Sequence, residues 1–318
     1  MSIGPRLEAV LQSRLSATKA AADSAASRAQ RPPTVVVAGA DSDEIIGCIG
    51  STLALGIARF ILVGPTARTR ELARRAGVDL DCCDFDEVSD PEQASVAAAR
   101  IAAAGDADVI MKGQVQTSDF IRAILSRDHG LLDSGGLISH VSLFDVPGYH
   151  KLLMLTDAAI TIAPDVDQKL RLISNALPVA WAIGLRRPKV ACIAPVERVT
   201  EKVPSTVDAA EVVRRVRADD TLGVLIDGPF GLDVAVSRDA AQIKKIDGDV
   251  AGDADLLLTP NLDAGNAVYK SLSFLAGAAV SGIVVGARIP VVLTSRADSE
   301  ATKFASIRLA LAATLKPQ

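Results

Sequence analysis

A chain of 318 residues holds one large domain or two ordinary ones, with enough length to bury a sizeable core. A formal net charge of −4, with no basic tract and no interleaving of basic and aromatic residues, excludes nucleic acid as the main partner. With 49% hydrophobic but only 3% aromatic residues, the interior must be built from Ala, Val, Leu and Ile, and no apolar run reaches membrane-spanning length.

The first thirty residues are rich in Ala, Ser and Arg, a composition shared with organelle transit peptides. Leu7, Val10, Leu11 and Leu15 recur at helical spacing, however, and predict an N-terminal helix that Arg31-Pro32-Pro33 stops. From residue 34 short apolar runs alternate with helical stretches. "TVVVAGA" is a buried strand, followed by a helix from Asp43 to about Ile57, strand "RFILVG" and helix 66–76. "VDLDCC" (78–83) is a short strand, 91–104 an Ala-rich helix, "DVIMKG" a strand and 117–126 a helix. This rhythm argues βαβ units and a parallel sheet. It breaks at 136–157, where "LISHVSLF" and "HKLLMLTD" flank Pro147-Gly148 with no room for a helix. That segment is a hairpin or a crossing between domains. A second α/β series follows: helix 167–184, strand "KVACIA", helix 207–216, strand "LGVLIDG", a helix around 236–243, strand "ADLLLTP", helix 264–280 and strand "GIVVG". "PVVLTS" and a helix from about 299 to 314 close the chain.

In open α/β sheets ligands bind beyond the carboxyl ends of the strands, so the polar segments there hold the candidate site. In "MKGQVQTSD", Lys112 can reach a phosphate, Gly113 admits close backbone approach, and Thr117 or Ser118 can cap the next helix. In "NLDAGNAVYK", Asp263 and Asn266 are capping candidates around Gly265, and in "DGPFGLD" the Gly228-Pro229 turn is flanked by Asp227 and Asp233. In "VVLTSRADSEATK", Ser295 with Asp298 reads as an N-cap and its capping-box partner. Arg296 then puts a cation at the positive end of a helix, where it is either a solvated surface residue or half of an anion site. The three histidines, His129, His140 and His150, and the four cysteines, Cys48, Cys82, Cys83 and Cys192, form no metal-ligand spacing and no nucleophile elbow. The cysteines read as structural in a reduced, cytoplasmic compartment. The chemistry should rest on positioning and anion stabilisation.

Taken in order, "MKGQVQTSDFIRAIL", "ISHVSLFDVPGYHKLLMLTDAAITIAPD", "IDGPFGLDVAVS", "VAGDADLLLTPNLDAGNAVYKSLSFLAGA" and "GARIPVVLTSRADS" resemble the phosphate acetyl/butyryltransferase family, and most closely its phosphate butyryltransferase branch, over residues 34–318. The resemblance implies two α/β domains with a cleft between them, of isocitrate/isopropylmalate dehydrogenase-like architecture. The first domain would take 1–143 plus 289–318 and the inserted second domain 144–288. It implies reversible acyl transfer between coenzyme A and inorganic phosphate, both as substrates, with no prosthetic group and no metal, in a cytoplasmic homodimer with no membrane or nucleic-acid partner. It assigns catalysis to Ser295 and Arg296; by their position after the strands, Lys112, Gly113, Thr117, Asp227 and Asn266 are the candidates for binding the substrates. Two positions depart from the acetyltransferase branch. Thr302 stands where that branch has its Asp, leaving Asp298 as the nearest carboxylate for a thiol base, and Ala158 stands where it has a Cys. An NAD(P)-dependent decarboxylating dehydrogenase on the same fold lacks its metal-binding aspartates here, and a silent acyl-CoA-binding module would not need the Ser295-Arg296 pair.

Overall fold

The structure, a computed structural model, describes residues 3–23, 32–294 and 298–315. It holds two compact units. One comprises Met1–Ile3, Glu8–Gly136 and Ser281–Gln318, the other Gly4–Leu7 and Leu137–Val280.

The chain opens with α1 (Pro5–Asp23), in which Leu7, Leu11 and Leu15 are buried as their spacing predicts. Its expected stop at Arg31 lies outside the described residues. Then come β1 (Thr34–Ala38), α2 (Asp43–Leu55), β2 (Arg59–Gly64), α3 (Thr66–Ala76), β3 (Asp84–Glu87), α4 (Pro91–Ala103), β4 (Val109–Lys112) and α5 (Thr117–Leu125). The second unit carries β5 (Ser139–Asp145), β6 (Leu153–Thr156), α6 (Val166–Ala182), β7 (Lys189–Ile193), α7 (Pro204–Ala218), β8 (Leu225–Phe230), α8 (Leu232–Val236), α9 (Arg238–Ile243), β9 (Leu256–Leu258) and α10 (Leu262–Lys270). The chain returns to the first unit through β10 (Ala279–Val285), β11 (Val291–Val292) and α11 (Glu300–Ala313).

In the first unit the strand order is β3-β2-β1-β4-β11-β10. β1 runs parallel to β2 and β4, β2 to β3 and β11 to β4, while β10 and β11 are antiparallel. Every residue of β1 and β4 is buried, as expected of parallel strands covered on both faces. In the second unit the order is β5-β6-β9-β7-β8. The expected hairpin is present, with Ser142 opposite Leu155 and Phe144 opposite Leu153. β5 and β6 both fall in the second unit, and the units change over at 136/137 and 280/281, earlier than the expected 143/144 and 288/289.

Three predicted elements differ. "VDLDCC" is not a strand: Val78 N–H closes the end of α3 on Ala73 O, Asp79 Oδ1 accepts from Asp81 N–H, and Cys83 N–H turns back to Leu80 O. The strand is the acidic "DFDE" that follows, an edge strand pairing Ile61 with Asp84, where charges guard an open edge. The predicted helix 264–280 ends early. A π turn over Ser271–Leu275 closes with Ala276 N–H on Ser271 O, Gly277 takes φ 63°, and strand geometry has begun by Ala279. The helix around 236–243 is two short ones, parted by Ser237, whose hydroxyl caps the second through Ala240 N–H at 3.2 Å.

One polar cluster ties the second unit together. Asp253 accepts from Lys189 Nζ at 2.6 Å and pairs with Lys151 at 3.0 Å, His150 Nε2 at 2.7 Å and Arg238 at 3.3 Å. Burial alone would raise the Asp253 carboxyl; the bonds from Lys189, Lys151 and His150 outweigh it and hold the group well below the usual carboxylate range. A depressed carboxyl stabilises the fold above its unfolded value, and that contribution is lost as pH falls through the folded value. We expect Asp253→Asn to cost about 1–3 kcal/mol at neutral pH. In urea unfolding the gap to the parent should narrow below about pH 4, where the unfolded carboxyl protonates; a gap independent of pH would refute this account.

Candidate functional site

The first unit builds a small polar site where β1, β4 and β11 end. Gly39, just past β1, has φ 73°. Its carbonyl accepts from Gln114 N–H at 2.7 Å, and Ala38 O accepts from Gly113 N–H at 2.8 Å, so the two post-strand segments lie backbone to backbone. A Cβ on Gly113 would stand 2.0 Å from Gly39 O, which is why only glycine fits there.

Lys112 ends β4 with its side chain buried, and its ammonium donates to Gly113 O at 3.1 Å. Facing it across a cavity of about 20 Å³ are Ser42, Glu44 and Ile45 at the start of α2, Gln114, the buried Thr294 after β11, and Lys303 of α11. Lys303 is also buried. It donates to Asp298 O at 3.0 Å and stands 3.5 Å from Glu44 Oε2. Ser42 caps α2 by accepting from Ile45 N–H at 3.3 Å. Two ammonium groups and the start of α2 thus converge on one point of positive potential, offset among the described lining residues by the Glu44 carboxylate.

The start of α11 differs from expectation. Its N-cap is Ser299, which accepts from Thr302 N–H at 3.2 Å, with the Thr302 hydroxyl 3.1 Å away. Asp298 therefore precedes the helix instead of closing a capping box within it. Ser295 and Arg296 themselves lie outside the described residues. At α5 the cap is Gln116 without a side-chain bond; Thr117 is the exposed first helical residue, and neither it nor Ser118 caps.

The second unit holds the other two predicted positions, on separate partners. Asn266 of α10 donates to Ala158 O at 3.1 Å. Asp227 of β8 pairs with Arg217 at 2.9 Å, accepts from Gly228 N–H at 2.9 Å, and edges a cavity of about 390 Å³ beside the first residues of β8. Asp263 is not the cap of α10; Asn261 is, through Ala264 N–H at 2.9 Å. The loop after β6 is organised by the buried Asp157, which accepts from the N–H groups of His140, Ala159, Ile160 and Thr161 and from the Thr161 hydroxyl at 2.8–3.2 Å. A Cβ on Gly265 would stand 2.1 Å from Asp157 O, so α10 seats against that loop only through glycine.

Lys303, Glu44 and Asp157 are the polar groups that sequence reasoning passed over. Lys303 could have been found as the one cation among the apolar positions of "KFASI", and Asp157 as an acid directly after the buried run "LMLT". Three of the thiols are poor nucleophiles: burial foremost pushes Cys48, Cys83 and Cys192 each up to about 12. Cys82 is exposed and all four cysteines are unbridged. Among the described residues no group of three His, Cys, Asp or Glu side chains could hold a metal ion, and no helix is long and apolar enough to cross a membrane.

Comparison with known proteins places this arrangement. A family model described as phosphate acetyl/butaryl transferase matches residues 86–311. The chain is 42% identical over 290 residues to phosphate butyryltransferase of Clostridium beijerinckii, covering 91% of this chain and 96% of that protein. It is 38% identical over 286 residues to phosphate acetyltransferase of Rhizobium meliloti, covering 90% of each. A solved branched-chain phosphotransacylase from Enterococcus faecalis is 32% identical, with a TM-score of 0.77 over 89% of this chain and 99% of that one. The chain belongs to the phosphate acetyl/butyryltransferase family.

Proposed function

We propose that the chain is an acyltransferase that moves a short-chain acyl group reversibly between coenzyme A and inorganic phosphate, acyl-CoA + phosphate giving acyl phosphate + CoA. The likeness to phosphate butyryltransferase over nine-tenths of the chain carries this reading, and the paired buried lysines at the ends of β4 and α11 supply an anion site of the kind the reaction needs. In the reverse direction, starting from acyl phosphate, the CoA sulfur attacks the carbonyl carbon. A C–S bond forms, the carbonyl oxygen becomes an oxyanion, and the bond from carbon to the phosphoryl oxygen then breaks with phosphate leaving. Arg296 and Ser295 are the proposed oxyanion donors. The thiol must lose its proton, because free thiols titrate above neutrality, and Asp298 is the proposed acceptor. Lys112, Gly113 and Thr117 take the phosphate side, the last through the first turn of α5. Asn266 and Asp227, the latter through the Gly228 turn that it holds, are further proposed substrate-binding residues. Coenzyme A and phosphate act as substrates with no prosthetic group. The isocitrate/isopropylmalate dehydrogenase-like architecture, the homodimer and a cytoplasmic location are carried by the family resemblance.

A thiol-release assay with phosphate and a series of acetyl-, propionyl-, butyryl- and branched acyl-CoAs tests the reading. Turnover is expected with four-carbon or branched acyl groups, at a kcat/KM about tenfold or more above that for acetyl-CoA, since each methylene in a fitted pocket is worth about that much. Absence of phosphate-dependent thiol release with every acyl-CoA would sink the assignment.

A further inference from the structure

Three cations of the protein are nearly as buried as one another and are compensated very differently. Lys169 of α6 is closed by an Asp208 carboxylate at 2.7 Å, and Arg308 of α11 by Glu8 at 2.6 Å. Among the described residues Lys303 has a neutral carbonyl at 3.0 Å and, at 3.5 Å, one oxygen of a Glu44 side chain that is itself 59% exposed. Burying an ammonium is costly unless a well-placed partner offsets it. Lys303 also sits in the first turns of the 14-residue α11, where the helix dipole disfavours a cation. Its poor compensation is therefore specific to the cavity it shares with Lys112, Gly113, Thr294 and Glu44. That cavity, at about 20 Å³, is of the size of a single water. The Glu44 carboxylate on its wall is loosely held and mostly in water.

We propose that Lys303 is a phosphate-binding residue paired with Lys112, and that Glu44 is its resting counter-ion, which the phosphoryl oxygens of the substrate displace. The Glu44 carboxylate occupies the place of the anion while the site is empty, and on binding it swings into solvent as the phosphate takes over the Lys303 ammonium. Glu44 thereby sets the affinity for phosphate without touching the reacting atoms. The inference rests on the acyltransferase reading for its substrate, while its test does not require turnover.

The experiment measures KM for inorganic phosphate and for butyryl-CoA, together with the rise in melting temperature that inorganic phosphate alone produces, in the parent, Lys303→Met, Lys303→Arg and Glu44→Gln. Lys303→Met is expected to raise the phosphate KM about tenfold or more, the worth of one charge-assisted hydrogen bond, with the butyryl-CoA KM unchanged and the phosphate-induced melting shift lost. Lys303→Arg should restore most of both. Glu44→Gln should lower the phosphate KM and enlarge the melting shift, because the competitor has been neutralised. Phosphate constants within twofold of the parent in both Lys303→Met and Glu44→Gln would overturn the proposal while leaving the acyltransferase reading in place. If the parent shows no turnover, that reading falls, and the phosphate-induced melting shift still decides this one: its absence in the parent, or its survival in Lys303→Met, overturns the role of Lys303.

Discussion

Arg296→Ala is expected to lower turnover about 10²-fold or more, the usual loss when one oxyanion donor is removed from a site that excludes water, with the melting temperature little changed. The two outcomes separate because the flanking elements are secured by their own contacts. Val291 and Val292 are buried against Ile110 and Met111 of β4, Thr294 is buried, and α11 begins on its own cap, Ser299. Arg296→Lys should recover only part of the rate, since an ammonium keeps the charge but loses the planar fork of donors. Thiol-release kinetics beside thermal unfolding reads both effects. Near-normal turnover in Arg296→Ala would remove the guanidinium from the chemistry and return the residue to the solvated surface.

The second large effect belongs to Gly113. A methyl group there would lie 2.0 Å from Gly39 O, 2.8 Å from Gly39 C and 2.9 Å from Ala38 O. All three are backbone atoms of the segment that ends β1, so no side chain can swing aside. Either β1 and β4 part where Ala38 pairs with Lys112, or the Lys112 backbone shifts and moves its ammonium away from the cavity. Overpacking of this kind costs about 1–3 kcal/mol or more, and here it reaches both stability and function. Gly113→Ala should therefore melt well below the parent and lose phosphate affinity together. Gly148→Ala is the control, because a Cβ at Gly148 meets nothing within 4 Å. A Gly113→Ala protein with the parent's melting temperature and phosphate KM would show that the two segments can separate at no cost.

Parts of this molecule were legible because local patterns admitted one answer. The runs "TVVVA", "RFILV" and "VIMK" are too apolar and too short for anything but buried strands between helices, and each is one. The absence of room for a helix between Ser139 and Thr156 left a hairpin or a crossing between domains, and β5 and β6 form the hairpin. The segment 78–83 misled because its alternation of Val, Leu and Cys with Asp satisfies a strand pattern, whereas the Asp79 side chain bonds locally and makes a turn. At α11 two serines one turn apart, Ser295 and Ser299, each stand three residues before a possible capping partner, Asp298 or Thr302. Local propensity does not distinguish them.

The sequence by itself determined the α/β class, the family and the segments that carry the chemistry, since hydrophobic period and the order of motifs are written along the chain. Tertiary structure alone decided which of those segments meet. It set Gly113 against Gly39 across two strands and moved the helix start to Ser299. It paired Asp227 with Arg217, and it buried Lys303 beside Lys112. A lysine read in sequence is taken as exposed, because its charge prefers water; only the packing of α2, β4 and α11 around it reveals an ammonium withdrawn from solvent with a loosely held carboxylate as its counter-ion.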